Sequence, residues 1–155
     1  MMWERAQARF LFEMALRAWK GQVYAIEKKE DALALLKENR RKFATDNLEI
    51  VPGTAPEAMV ELPVPTHAFI GGSSGNMNEI IRLLLDKNPK VRIVINCITL
   101  ETVTEAMNAI RDFSLTDVDI VQLSAARSKS IGRYHMMMGE NPIYIISCSG
   151  RGEEI

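Results

Sequence analysis

No glycine occurs in the first twenty residues, although nine follow in the rest of the 155-residue chain. Only glycine lets a backbone approach a ligand without steric cost, so that stretch holds no glycine-rich ligand loop. Cysteine is equally scarce. Cys97 and Cys148 each sit inside an apolar run, which excludes a disulfide scaffold and points to a reducing cytoplasm. Neither has a Cys or His at ligand spacing, and His67 and His135 are far apart, so no metal site is expected. No apolar run approaches the ~20 residues of a membrane span, and charged Glu4, Arg5, Arg9 and Glu13 break any resemblance to a signal peptide. An excess of one charge is missing too. With 19 Lys plus Arg against 20 Asp plus Glu, no bulk field draws the protein to nucleic acid or to an anionic membrane.

What remains is an ordinary globular composition, 47% hydrophobic and 25% charged, with the length of a single domain over residues 1–155. Two periodicities alternate. Val23–Ile26, Leu48–Val51, His67–Ile70 and Val91–Ile98 read as short strands. Between them lie helical stripes: Ala32, Leu35, Leu36, Asn39 and Phe43; then Met77, Ile80, Ile81, Leu84 and Leu85; then Val103, Ala106, Met107, Ile110 and Phe113. Asn76 with Glu79 has the spacing of a capping box, and Thr99 that of an N-cap. Strand-helix alternation with nearly continuous apolar strands predicts an α/β fold with a parallel sheet. Val118–Leu123 and Ile143–Cys148 have no helix between them and are expected to pair antiparallel, separated by a polar loop, Ser124–Arg133, and the short apolar stretch His135–Met138. Residues 2–19 read as a helix apolar on more than one side, the pattern of a buried or partner-packed helix.

Ligands of open α/β sheets bind at the carboxyl ends of strands, where the candidates cluster. Glu27 closes the first strand and is placed either to accept ribose hydroxyls or simply to be solvated beside Lys28 and Lys29. Gly53, Thr54 and Ala55 follow the second strand, as a turn or as a backbone edge for a flat base. Gly71, Gly72, Ser73 and Gly75 join a strand to a helix start, where amide groups and the helix dipole favour an anion, although neither a Walker loop nor G-x-G-x-x-G is present. Asn96 interrupts an apolar strand and must find a hydrogen-bond partner. Arg127, Lys129, Arg133 and His135 form either a solvated charge run or a local basic patch for a ligand with several carboxylates.

Several segments run in order: Gly21-Gln22-Val23-Tyr24-Ala25-Ile26-Glu27, Glu38-Asn39-Arg40-Arg41-Lys42-Phe43, Gly53-Thr54-Ala55-Pro56-Glu57, and Phe69-Ile70-Gly71-Gly72-Ser73-Ser74-Gly75-Asn76. Ile95-Asn96-Cys97-Ile98-Thr99-Leu100-Glu101 and Asn141-Pro142-Ile143-Tyr144 complete the set. From about residue 13 to 150 this order resembles the decarboxylating precorrin-6B C15-methyltransferases of cobalamin biosynthesis. The resemblance implies a class I S-adenosylmethionine-dependent (Rossmann-like) fold, a seven-stranded sheet with an antiparallel last strand. It implies Glu27 on the ribose, Gly53, Thr54 and Ala55 beside the adenine, and Gly71, Gly72, Ser73, Gly75 and Asn96 around the methyl-transfer site. A tetrapyrrole substrate rich in acetate and propionate groups is implied, with Arg127, Lys129 and Arg133 as its contacts, as is a homo-oligomer, by family habit a tetramer.

The mechanism so implied needs alignment more than side-chain chemistry, and no catalytic side chain is assigned. The family's first strand and its G-x-G-T-G-S loop have no counterpart; the equivalent stretch is Trp3–Arg9. Without that strand, which in the family lies between those ending at Glu27 and at Gly71, a break in the sheet is expected. Two readings follow: a shortened but active methyltransferase, or a methyltransferase-like chain that binds no cofactor and serves as a subunit.

Overall fold

The computed structural model describes residues 2–73 and 75–151, with side chains described from Phe10 onward; Ser74 of the glycine loop lies outside them. The chain divides into two compact units, Met1–Pro63 and Val64–Ile155.

The first unit opens with helix α1, Met2–Arg17. Strand β1 (Val23–Glu27), helix α2 (Glu30–Lys42) and strand β2 (Leu48–Pro52) follow. β1 and β2 pair in parallel, Val23 with Leu48 through Glu27 with Pro52, with α2 as the crossover that parallel neighbours need. Phe12, Ala15, Val23, Ala25, Leu36 and Leu48 form the buried core, with Leu11, Ala18 and Ile50 against it. The apolar residues α1 cannot place there stay outside: Leu16 and, just past the helix, Trp19 are exposed. A 3-10 turn, Glu57–Met59, follows β2.

The second unit holds strand β3 (His67–Ile70), helix α3 (Met77–Lys87), strand β4 (Arg92–Cys97) and helix α4 (Leu100–Asp112). Strands β5 (Thr116–Leu123), β6 (Ala126–Ile131), β7 (Tyr134–Gly139) and β8 (Ile143–Ser149) complete it. The main sheet has the order β3-β4-β8-β5, with β3 parallel to β4 and the last strand, β8, antiparallel to both neighbours. Met77, Ile80, Ile81 and Leu84 of α3 and Ala106 and Ala109 of α4 are buried, as are Ile93, Ile95 and Cys97 of β4 and Ile146 and Cys148 of β8. Thr99 caps α4 as its position predicts, its hydroxyl accepting the Thr102 amide at 3.2 Å. Among the described residues no strand joins β1 to β3, the break the resemblance implies. No described helix is long and apolar enough to cross a membrane.

Two expectations are corrected. Asn76 makes no side-chain cap on α3, because its φ of −102° and ψ of 22° lie outside the extended region an N-cap adopts. The expected loop Ser124–Arg133 is instead half of a hairpin: β6 and β7 pair antiparallel from Ala126 with Gly139 to Ile131 with Tyr134, around Gly132 at φ 61°. β5 and β8 do pair antiparallel, with that hairpin emerging between them.

Candidate functional site

In the first unit the carboxyl ends of β1 and β2 lie side by side, since the register places Glu27 opposite Pro52. The Glu27 carboxylate folds over its own strand end, Oε1 accepting the amides of Lys28 and Lys29 at 2.9 Å each. That contact holds the side chain in place through Oε1. Gly53 donates its amide to the Glu27 carbonyl at 3.0 Å, which binds the two strand ends together. Its φ of 149° is unfavourable for other residues, and a Cβ there would come within 2.9 Å of the Ala58 Cβ. Thr54 is exposed and Ala55 half-buried, and the Thr54 carbonyl accepts the Ala58 amide. Glu27, Gly53, Thr54 and Ala55 therefore form one rim.

In the second unit the parallel pairing of Ile70 with Ile95 sets the Gly71–Gly75 loop beside the end of β4. Ser73 is buried; its hydroxyl points to Glu105 Oε2 of α4 at 3.5 Å, and its carbonyl accepts the Asn76 amide at 2.9 Å. Gly72 and Gly75 face open space, with no atom within 4 Å of a Cβ built on either. Asn96 sits at the end of β4 with a buried Oδ1 that has no hydrogen-bond partner among the described residues. A buried acceptor left unpaired costs about 1–3 kcal/mol, so this atom calls for a donor from a ligand or water. Glu105 is the residue that sequence reasoning missed. It precedes Ala106 of the apolar stripe and reads as solvated, whereas its charge reaches both Ser73 and Cys97, where it adds to burial in pushing the thiol up.

The hairpin divides the residues of the basic patch between its two faces. Arg127 and Lys129 share one face of β6, while His135, opposite Ser130, faces the other way. Arg127 is paired with Glu140 at 2.7 Å, and Arg133 lies over the Tyr134 ring with its centroid 5.3 Å away.

The residues present suit the adenosine part of S-adenosylmethionine in the first unit and a donor-bearing ligand at Asn96 in the second. They do not reproduce a loop for the methionine part. Trp3–Arg9 is helical here, so its amides beyond the first turn are spent within α1.

Comparison with known proteins bears on the same residues. The family model described as "Precorrin methyltransferase domain" matches residues 11–149. A protein of Methanothermobacter thermautotrophicus named "Probable cobalt-precorrin-6B C(15)-methyltransferase (decarboxylating)" is 38% identical over 127 residues, 81% of this chain and 66% of that protein. The cobalt-precorrin-6B C(15)-methyltransferase (decarboxylating) of Salmonella typhimurium is 34% identical over 137 residues, 88% of this chain and 70% of its own length. The chain thus spans about two-thirds of the length of these curated relatives.

Among solved structures, the precorrin-6y C5,15-methyltransferase of Geobacter metallireducens superimposes with a TM-score of 0.79 at 32% identity, covering 89% of this chain and 73% of that one. The precorrin 8w decarboxylase of Methanobacterium thermoautotrophicum gives 0.72 at 37% identity, covering 82% and 69%. An S-adenosylmethionine-dependent O-methyltransferase of Thermotoga maritima, 15% identical with a TM-score of 0.64 over 87% of this chain and 52% of that one, shares the fold alone, that of the class I methyltransferases. The order of the motifs, the antiparallel last strand and the match over residues 11–149 converge: the chain belongs to the precorrin methyltransferase family.

Proposed function

We propose that this chain is a S-adenosylmethionine-dependent C-methyltransferase of cobalamin biosynthesis. It methylates carbon 15 of a precorrin as an acetate side chain of that substrate loses its carboxylate as carbon dioxide. Its place of work is the cytoplasm, and its working form is a homo-oligomer. The observation that carries the reading is the Asn96 Oδ1 beside the open glycine loop: a buried polar acceptor with no hydrogen-bond partner among the described residues, at the carboxyl end of a strand.

S-adenosylmethionine, when bound, supplies a methyl group already activated on a sulfonium. The protein's task is then positioning and exclusion of water. Glu27 Oε2 accepts the ribose hydroxyls, and the backbone of Thr54 and Ala55 borders the adenine. In the second unit Gly72 leaves open space at the strand end; the resemblance assigns Gly71 and Gly72 to the cofactor, and Ser73, held by Glu105, with Gly75 and Asn96, to the substrate side. Arg127, Lys129 and Arg133 meet substrate carboxylates, Arg127 by exchanging Glu140 for them. No side chain is required as a general base.

A second reading, a chain that binds no cofactor and acts as a subunit, draws on one feature: α1 is helical through Trp3–Arg9, where a cofactor loop would lie. Calorimetric titration of the purified chain with S-adenosylmethionine decides between them. Saturable binding is expected, and Glu27→Ala should weaken it by about 1–3 kcal/mol. Absence of heat at millimolar ligand would establish the second reading, and an unchanged affinity in Glu27→Ala would remove that residue from the site.

A further inference from the structure

Glu105 reaches from α4 to the loop that follows β3. Its Oε2 accepts the buried Ser73 hydroxyl at 3.5 Å, at the long limit of a hydrogen bond. Its charge also acts on the buried Cys97 thiol, second to burial itself in raising it. The side chain is half-buried, and among the described residues it has no cationic partner. A carboxylate partly withdrawn from water is stabilised most by an opposite charge, whether that charge comes from the protein or from a ligand. The helix does not supply one. Glu101 lies in the first turn of α4, where the helix dipole favours an anion, whereas Glu105 stands a full turn further in. Arg111, the only basic residue of α4, is bonded to Asn108. Arg82 of α3 lies over the Phe113 ring, 6.0 Å from its centroid.

We propose that Glu105 is the counter-charge for the sulfonium of the methyl donor, a specificity residue that tells the cationic donor from its neutral product. The inference rests on the cofactor part of the reading above and adds the group that senses charge. Ser73 directly follows Gly71 and Gly72, the glycines assigned to the cofactor, so the Glu105 carboxylate reaches the loop at which that molecule is placed. Methyl transfer leaves the C–S electron pair on sulfur, and the product is an uncharged thioether. The attraction to Glu105 is therefore present while the donor carries its methyl group and gone once that group has left. It favours the exchange of spent for fresh donor. It does not speed the transfer itself, because a contact stronger in the ground state than in the transition state raises no rate.

Calorimetric titration of the full chain with S-adenosylmethionine and with S-adenosylhomocysteine isolates this effect, because the two ligands differ only by the methyl group and its charge. Circular dichroism checks the fold of each variant, and Gln suits a helix about as well as Glu. Glu105→Gln keeps an acceptor for Ser73 and removes the charge. It should weaken binding of S-adenosylmethionine by about tenfold and leave S-adenosylhomocysteine within about twofold of the wild type. Glu105→Ala should shift the ratio of the two affinities in the same direction. Glu105→Asp, which keeps the charge, should shift it little. An unchanged ratio in Glu105→Gln, including an equal loss for both ligands, would overturn the proposal and leave Glu105 as a support for the loop. A shift in Glu105→Asp as large as in Glu105→Gln would overturn it too, since charge would not be the cause. A wild type that binds neither ligand would overturn the cofactor reading itself, and this proposal with it.

Discussion

Gly150 and Gly72 look alike as isolated residues, but their surroundings differ. Gly150 follows β8 and donates its amide to the Val91 carbonyl at 2.9 Å. A Cβ there would overlap the Pro89 carbonyl oxygen and come 2.6 Å from Leu85 Cδ2, so the backbone itself would have to yield. Gly150→Ala should therefore lower the unfolding free energy by about 1–3 kcal/mol, read as a shift of the urea midpoint at constant slope. Gly72 has nothing within 4 Å of a built Cβ. Gly72→Ala should leave that midpoint unchanged while weakening S-adenosylmethionine binding, because the methyl group enters space assigned to the cofactor. A loss of stability at Gly72 instead would show that the glycine serves the loop rather than the ligand. The sequence marks both positions as glycine and nothing more, since what excludes a Cβ at Gly150 comes from residues some sixty positions away in the chain.

Elements that bury a face were legible; of the strands that bury none, β5 showed itself by its apolar run Val118–Leu123, whereas β6 and β7 did not. β1 to β4 and β8 appear where apolar residues are strung together, because each of these strands places residues in a core. β6 and β7 expose both faces and carry no alternation for a reader to find, so Arg127 and Lys129 looked like loop residues. The docking of α1 was also hidden. Asn47, two residues past Thr45 and just before β2, donates its Nδ2 to the Ala15 carbonyl at 2.8 Å and to the Ala18 carbonyl at 2.9 Å. It thereby ties down the chain where α1 ends, adding a donor to the Ala15 carbonyl and a second one to the Ala18 carbonyl, which also accepts the Gly21 amide at 2.8 Å. Removing it takes two hydrogen bonds of about 1 kcal/mol each from a half-buried site, so Asn47→Ala should cost about 2 kcal/mol. Amide exchange would locate the loss, with protection falling first along α1. An unchanged exchange pattern in α1 would contradict the docking role.

For the whole molecule, the two buried thiols make stability fall at alkaline pH. Cys97 of β4 and Cys148 of β8 lie on one face of the sheet, but Cys148 is opposite Ile93, four residues from Cys97. That is about 13 Å along the strand, too far for a disulfide. Both are fully buried, and burial pushes both thiols above their ordinary 9.0, helped at Cys97 by the charge of Glu105 and opposed at Cys148 by Arg92. Below pH 9.0 folded and unfolded chains alike keep these protons, and the thiols do not bias folding. Above it the unfolded chain releases them while the folded one does not, so stability falls as pH rises until the folded thiols ionise as well. In that window each thiol contributes a slope of up to about 1.4 kcal/mol per pH unit. Urea titrations under reducing conditions from neutral pH into this range should show the decline, and Cys148→Ala should have about half of the thiol-dependent slope. A variant with the wild-type slope would place the alkaline sensitivity in other groups. Native Cys97 and Cys148 should also resist an aromatic disulfide reagent and react fully once the chain is unfolded, since only the thiolate attacks.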